Sequence, residues 1–446
     1  MESCHKTSLG SGFMEKYLLP DIIYNILAYL NKDDSFHFIN ICKSVMKQKH
    51  YLYKKYIFNY GLLNNHNNQF IHHIQNMKST KLIDFSGLTF NNLTTLYFYV
   101  NDEMTKTTFD FYLYNTLTNL PKTLLNLTIN SDLLNLPLNA LTNDPINLKI
   151  LHVISNKFNQ PINNLPSSLM ELHIIAGNFN QSIDNLPTFL KNLHIDSDGF
   201  NQLLNSLPHT LEKLCIRSDE FNQSFNNLPI SLNSIKLFIP NYCKEIDLLY
   251  LQKLRELQIY NDDGIPFYKL LKCLPINLKI LKLKFDNIDY SLNNLPKTLK
   301  CLILNTYQFN QSLDALPKSL KKLIIISNTF NKSVSKLPEN LTELQIASHN
   351  FDQSFSNLPH NLKILRIYSL NYNCPLNKLP HNLQILMLNC RNLKKSFSKL
   401  PTSLKIKIIN DYYSYKNDTK HKYKGKFVVD NCDWFNDDWV HNDLNI

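Results

Sequence analysis

The chain has 446 residues, a net charge of +11, only eight glycines and 60 asparagines, more than one residue in eight. Nucleotide-driven chemistry needs Gly-rich phosphate turns, and no G-x-G-x-x-G or G-x-x-x-x-G-K run occurs, so ATP- and NAD-dependent functions are not expected. A hydrophobic content of 43% can build a core and argues against global disorder.

No run approaches 18 consecutive apolar residues, and the first twenty residues hold no apolar stretch of signal-peptide length. The nine cysteines are odd in number, dispersed and without a C-x-x-C pair, which suits free thiols in a reducing compartment. These features predict an intracellular, cytoplasmic protein with no membrane partner. The basic residues are scattered rather than clustered, so nucleic acid is not expected as a partner either.

Residues 1–17 read as a flexible N-terminus and 18–60 as a small helical domain. Pro20 stands near a first helical turn, and Ile23, Ile26, Leu27 and Leu30 follow at i, i+3, i+4 and i+7, the spacing of an amphipathic helix. Asn31 to Asp34 supply a turn and a second N-cap, after which Phe36, Phe38, Ile39, Ile41, Cys42, Val45 and Met46 continue an apolar helical pattern. This segment is similar to the F-box. The resemblance implies that Leu19, Pro20, Ile23, Ile26, Leu27 and Leu30 dock onto a Skp-type adaptor and, through it, a cullin. A helical cap for the repeats that follow is the other use of the same residues.

After a connector at 61–89, residues 90–410 repeat with a period of 21. Prolines stand at 145, 166, 187, 208 and 229 and again at 275, 296, 317, 338, 359, 380 and 401. Counting from proline as zero, the unit carries Leu at +3 and +6, an aliphatic residue at +8, Phe-Asn-Gln at +13 to +15, and apolar residues at +17 and +20; Pro166 leads Leu169, Leu172, Ile174, Phe179, Asn180, Gln181, Ile183 and Leu186. In the gap after Pro229, Leu251 takes the proline slot of a degenerate unit ahead of Leu254, Leu257 and Ile259. Earlier units begin near Pro121 and around Leu93, giving about fourteen.

Positions +6 and +8 share one face of an extended chain, so each unit supplies a short strand, a turn rich in Ser, Asn, Asp and Gly at +10 to +12, and a non-helical return. One such unit buries too little to offset its own ordering, and stacking must supply the rest. The pattern resembles the leucine-rich repeat and, more closely, the FNIP repeat, to which Phe158-Asn159-Gln160-Pro161-Ile162 is near. The resemblance implies an α+β chain in which the helical domain precedes a curved solenoid with a parallel β-sheet on its concave face, used for binding proteins.

Positions +5, +7 and +9 should leave the core and form that binding face. The +7 column places His152, His173 and His194 one repeat apart. We read these as inherited by duplication rather than as a metal site, because no carboxylate or Cys cluster completes them and a flat sheet gives poor tetrahedral geometry. The +9 column, with Ile154, Ile175, Phe238, Tyr260, Ile326 and Tyr368, reads as an exposed apolar row of the kind that binds proteins. His152, His173, His194, Tyr260, Arg366 and Tyr368 are the expected target-binding residues. At +4, Lys149, Lys191, Arg255, Lys279, Lys300, Lys321 and Lys363 line one edge, suited to an acidic protein.

After Pro401 the register breaks, since Lys407 occupies a leucine slot, and residues 411–446, with both tryptophans, read as a C-terminal cap or tail. No H-E-x-x-H or G-x-S-x-G constellation is present, and neither a catalytic residue nor a cofactor is expected. The function that follows is target recognition within a Skp/cullin-type ubiquitin ligase, the adaptor held by the F-box and an unknown target by the repeats. A binding scaffold with no ligase role is the alternative.

Overall fold

In each repeat the proline opens a β-turn, its carbonyl accepting from the amide three residues on. Leu169 N lies 3.0 Å from Pro166 O, and Leu190 and Leu299 repeat the contact at 3.0 Å. The turn drops the +3 leucine into the core and launches a strand in which +6 and +8 are buried and +5, +7 and +9 turn away. A second turn, closed at 3.1 Å by Phe158 N on Ser155 O, returns the +13 phenylalanine to the core. No helix forms between that phenylalanine and the next proline in the regular units, in keeping with the irregular spacing there.

The computed structural model describes residues 57–59, 76–79, 90–100, 105–142, 147–262, 265, 267–288, 290–376, 378–390, 400–401 and 404–408. The expected adaptor-binding residues 19–30 and the tail 411–446 lie outside the described residues. The chain divides into two units, Met1–Ser197 and Asp198–Ile446.

In the first unit the described strands are β1 (Ile57–Asn59), β2 (Asn76–Ser79), β3 (Thr95–Tyr99), β4 (Asn126–Asn130), β5 (Ile150–Ile154), β6 (Glu171–Ile175) and β7 (Asn192–Asp196), each pairing in parallel with the one before. The parallel ladder therefore reaches upstream of residue 90, where the repeat first becomes readable. Register steps by 21 residues from Leu151 to Leu172 to Leu193 but by 31 from Leu96 to Leu127. The long step holds a helix the repeat pattern does not predict, α1 (Lys106–Thr118), which Thr105 caps by accepting from Thr108 N. It buries Phe109, Leu113, Thr116 and Leu117.

In the second unit β8 (Lys213–Arg217), β9 (Ser234–Phe238), β10 (Glu256–Tyr260), β11 (Ile280–Asn287), β12 (Cys301–Gln308), β13 (Lys322–Ile326), β14 (Glu343–Ala347), β15 (Ile364–Ser369), β16 (Ile385–Cys390) and β17 (Lys405–Ile408) again pair successively in parallel. The degenerate unit at Leu251 is a full coil: Leu254 N donates to Leu251 O at 3.0 Å, and β10 pairs in register on both sides. A short helix, α2 (Phe267–Lys272), sits in the longer step to β11. The expected break after Pro401 is corrected by the pairing. One residue is lost between Leu404 and the strand, so Ile406 and Ile408 pair with the core residues Leu386 and Leu388, and Lys407 falls beside Met387.

Three ladders tie coil to coil. The +13 rings stack: Phe158 on Phe179 at 5.9 Å in the first unit, and Phe309, Phe330, Phe351 and Tyr372 in series at 5.8, 5.9 and 6.1 Å in the second. The +14 asparagine Oδ1 accepts the backbone amide at +14 of the next coil and the Nε2 of its +15 glutamine; Asn159 takes Asn180 N at 3.0 Å and Gln181 Nε2 at 2.9 Å. The +10 serine reaches back to the +13 carbonyl of the preceding coil, as Ser348 to Phe330 O at 2.8 Å and Ser369 to Phe351 O at 2.7 Å. The serines are buried but satisfied, which keeps them from destabilising the core, whereas Asn159 and Gln181 are half-buried and Asn180 is exposed.

Candidate functional site

The candidate site is the face of each sheet turned away from the core. Because strands about 4.8 Å apart repeat the same position, each column is a row of like side chains at near-contact spacing. In the first unit His152, His173 and His194 lie on adjacent strands in register. The rings of His152 and His173 stack at 4.2 Å, 13° from parallel, and His194 follows at 5.1 Å, tilted by 48°.

The reading that no carboxylate completes this row is overturned. Glu171, at +5 of the strand that carries His173, places Oε1 3.3 Å from His152 Nε2 and 3.4 Å from His173 Nε2. Its other oxygen, Oε2, accepts from Asn192 Nδ2 at 2.8 Å. The sequence held the signal, since residues i and i+2 of a strand share a face and Glu171 stands two before His173.

The hydrogen bond from His152, helped by Asn192 and the nearby imidazoles, holds the Glu171 carboxyl down at about 2. Burial pushes His173 down to about 3, reinforced by the two flanking histidines and opposed only by Glu171. At neutral pH the cluster is therefore one carboxylate beside a neutral His173. Both groups titrate lower in the folded chain than their ordinary values of 4.5 and 6.5, so the unfolded chain takes up protons first. The stability present above pH 6.5 is lost as pH falls toward 3, with a further loss from 4.5 toward 2. His173→Asn is expected to remove up to one proton from the uptake on unfolding in the upper window, read from denaturant unfolding at a series of pH values. Parallel pH curves for variant and parent would refute it.

In the second unit, Arg217, Phe238, Tyr260 and Lys284 form the +9 row of β8 to β11, with the Arg217 guanidinium 4.8 Å from the Phe238 ring and Lys284 Nζ 4.5 Å from the Tyr260 ring. Lys213, Lys236 and Lys282 project from the same face. Glu256 and Asp286 are the acidic residues of these strands, and Glu256 accepts from Ser234 Oγ at 3.1 Å. Five basic against two acidic side chains leave these strands net positive, which suits an anionic ligand.

Of the expected target-binding residues, Tyr260 belongs to this patch. Arg366 and Tyr368 share β15, five strands away or roughly 24 Å. Arg366 donates to Glu343 Oε1 at 2.5 Å, and Glu343 also pairs with Lys322 at 3.2 Å, so this arginine is tied into an ion network. The +9 row is less open than the alternation predicts: Ile154, Ile175, Tyr260, Ile326 and Tyr368 are half-buried and Phe238 is buried, because neighbouring rows cover their flanks. Along the +4 edge Lys191, Lys279, Lys300, Lys321 and Lys363 are exposed, while Lys149 and Arg255 are partly covered.

Parallel one-strand coils with a leucine-lined core and a non-helical return define a leucine-rich-repeat-like β-solenoid. No protein family, the F-box and the FNIP repeat included, and no curated protein matches the sequence. Among solved structures the chain is similar to CroV588, a circular leucine-rich-repeat protein, with 24% identity and a TM-score of 0.51 over 76% of this chain and 56% of that one. It is also similar to TLR13, solved in complex with ssRNA13, with 20% identity and a TM-score of 0.49 over 81% of this chain and 62% of that one. A third is YopM from Yersinia enterocolitica WA-314, with 17% identity and a TM-score of 0.38 over 76% and 78% of the two chains. The chain spans less than two thirds of the length of the first two. No helix among the described residues is long and apolar enough to cross a membrane.

Proposed function

We propose that the chain is a non-enzymatic protein-binding scaffold that serves as the substrate-recognition subunit of a Skp/cullin-type ubiquitin ligase. The observation that carries the binding half is the face of β8 to β11, where five basic side chains flank Phe238 and Tyr260 against two acidic residues in these strands, Glu256 and Asp286. Flat aromatic area with surrounding cations suits an acidic segment of a target protein. The ligase half is supported by the spacing of Leu19, Pro20, Ile23, Ile26, Leu27 and Leu30 alone. Joined in one chain, the two halves would hold a target beside the ubiquitin-transfer machinery, with the chemistry done by other subunits.

The test is capture of a purified Skp-type adaptor by the full chain, beside Leu19→Ala/Pro20→Ala and Lys236→Glu/Lys282→Glu variants, with a Glu-rich peptide offered in parallel. The first variant is expected to lose adaptor binding at least tenfold and keep the peptide, and the second to do the reverse. Peptide binding without adaptor binding by the parent chain would leave a plain scaffold and remove the ligase role. Adaptor binding with no response of the peptide to charge reversal would remove the assignment of the face.

A further inference from the structure

The row of histidines in the first unit carries an inference independent of that function. We propose that His152 Nε2, His173 Nε2 and the Glu171 carboxylate form a binding site for a divalent ion of the zinc class, with a fourth coordination position open toward the sheet face.

Geometry is the first argument. With metal–ligand bonds of about 2.0–2.1 Å, neighbouring ligands of a tetrahedral zinc ion stand about 3.3–3.4 Å apart. Glu171 Oε1 is 3.3 Å from one imidazole nitrogen and 3.4 Å from the other, so two of the three edges already have that length. All three ligand atoms lie within 4.8 Å of one another. The third edge closes by turning the rings out of their stack. Neither His152 Nδ1 nor His173 Nδ1 has a hydrogen-bond partner, so no such contact locks the rings, and rotation about the terminal torsion of histidine is soft.

Chemistry is the second argument. Metal ligands must be deprotonated, and protons usually compete for them. Here Glu171 Oε1 and the two imidazole Nε2 atoms already face one another, so the donor set is assembled before an ion enters. Asn192 Nδ2 on Oε2 fixes the carboxylate and aims Oε1 between the rings, the kind of outer contact that raises metal affinity. Two imidazoles and one carboxylate favour zinc, copper, nickel or cobalt over magnesium and calcium, which take oxygen ligands. A zinc ion would also place a positive charge beside Glu171, the anion of this half-buried cluster.

The experiment is calorimetric titration of the full chain with Zn²⁺ alone at pH 7. Glu171→Gln and His173→Asn are run beside it, with X-ray absorption of the zinc-loaded parent. One equivalent that both variants weaken at least tenfold, no matching response to Mg²⁺, and a zinc shell of nitrogen and oxygen are expected. Equal zinc affinity and stoichiometry in parent and variants, a sulfur-rich zinc shell, or no zinc binding by the parent would each overturn the site. The absorption measurement uses the parent chain alone and so stands even where a variant fails to fold.

Discussion

Phe330→Ala is expected to destabilise the second unit by about 3–5 kcal/mol, the range for emptying a fully buried aromatic site. The ring is 0% exposed and lies between Phe309 at 5.8 Å and Phe351 at 5.9 Å, within 9° and 3° of parallel. Collapse into the gap is blocked because β12, β13 and β14 are pinned in register on the other side of the coil. In a stack where each coil rests only on its neighbours, the loss should be local, so hydrogen exchange in β12 to β14 should accelerate more than in β8 or β16. Tyr307→Ala, which removes a ring 63% exposed, should change stability by no more than about 0.5 kcal/mol. Equal denaturation midpoints for the two variants would show that the +13 column is not the core it is taken to be.

That column was readable because Phe, Asn and Gln recur with the prolines, and a side chain repeated every 21 residues must stack on itself once the strands pair in parallel. Leu251 was readable without its proline because Leu254, Leu257 and Ile259 kept their spacing. Helix α1 was not: Phe109, Leu113 and Leu117 hold the i, i+4, i+8 spacing of a buried stripe, but Phe111, Tyr112 and Tyr114 on the exposed side blur it. Strands β1 and β2 escaped notice because they lack the proline and leucine marks that betray the later coils. Tyr242 and Tyr372 take the phenylalanine slot with their hydroxyls buried and unpartnered, a cost that the pattern does not reveal.

The site was legible by column but not across columns. Reading down +7 finds three histidines and no acid; reading along β6 finds Glu171 beside His173 on one face. The basic patch likewise draws Lys213 from +5, Lys236 and Lys282 from +7, and Arg217 and Lys284 from +9. It exists only after pairing lays β8 to β11 side by side. A sheet face is two-dimensional, and a one-dimensional pattern recovers one axis of it.

The second large effect is expected at Asn159, whose replacement by alanine should cost about 1–3 kcal/mol, at about 0.5–1.5 kcal/mol for each of the two hydrogen bonds lost. Its Oδ1 accepts from Asn180 N at 3.0 Å and Gln181 Nε2 at 2.9 Å, while the Asn159 backbone N–H donates to Asn135 Oδ1 at 3.0 Å. Only the acceptor oxygen is used in the step to the next coil, so Asn159→Asp should stay within about 0.5 kcal/mol of the parent at neutral pH. The sequence already contains that substitution in the second unit, where Asp352 Oδ1 accepts from Asn373 N at 2.8 Å. Where cysteine takes the slot, at Cys243, the thiol donates to Asn222 at 3.7 Å, which preserves a contact backward without an acceptor oxygen to pass forward. Thermal and urea unfolding of the two Asn159 variants decide the matter: equal losses for alanine and aspartate would mean that the amide's donor or its neutrality, not its oxygen, holds one coil to the next.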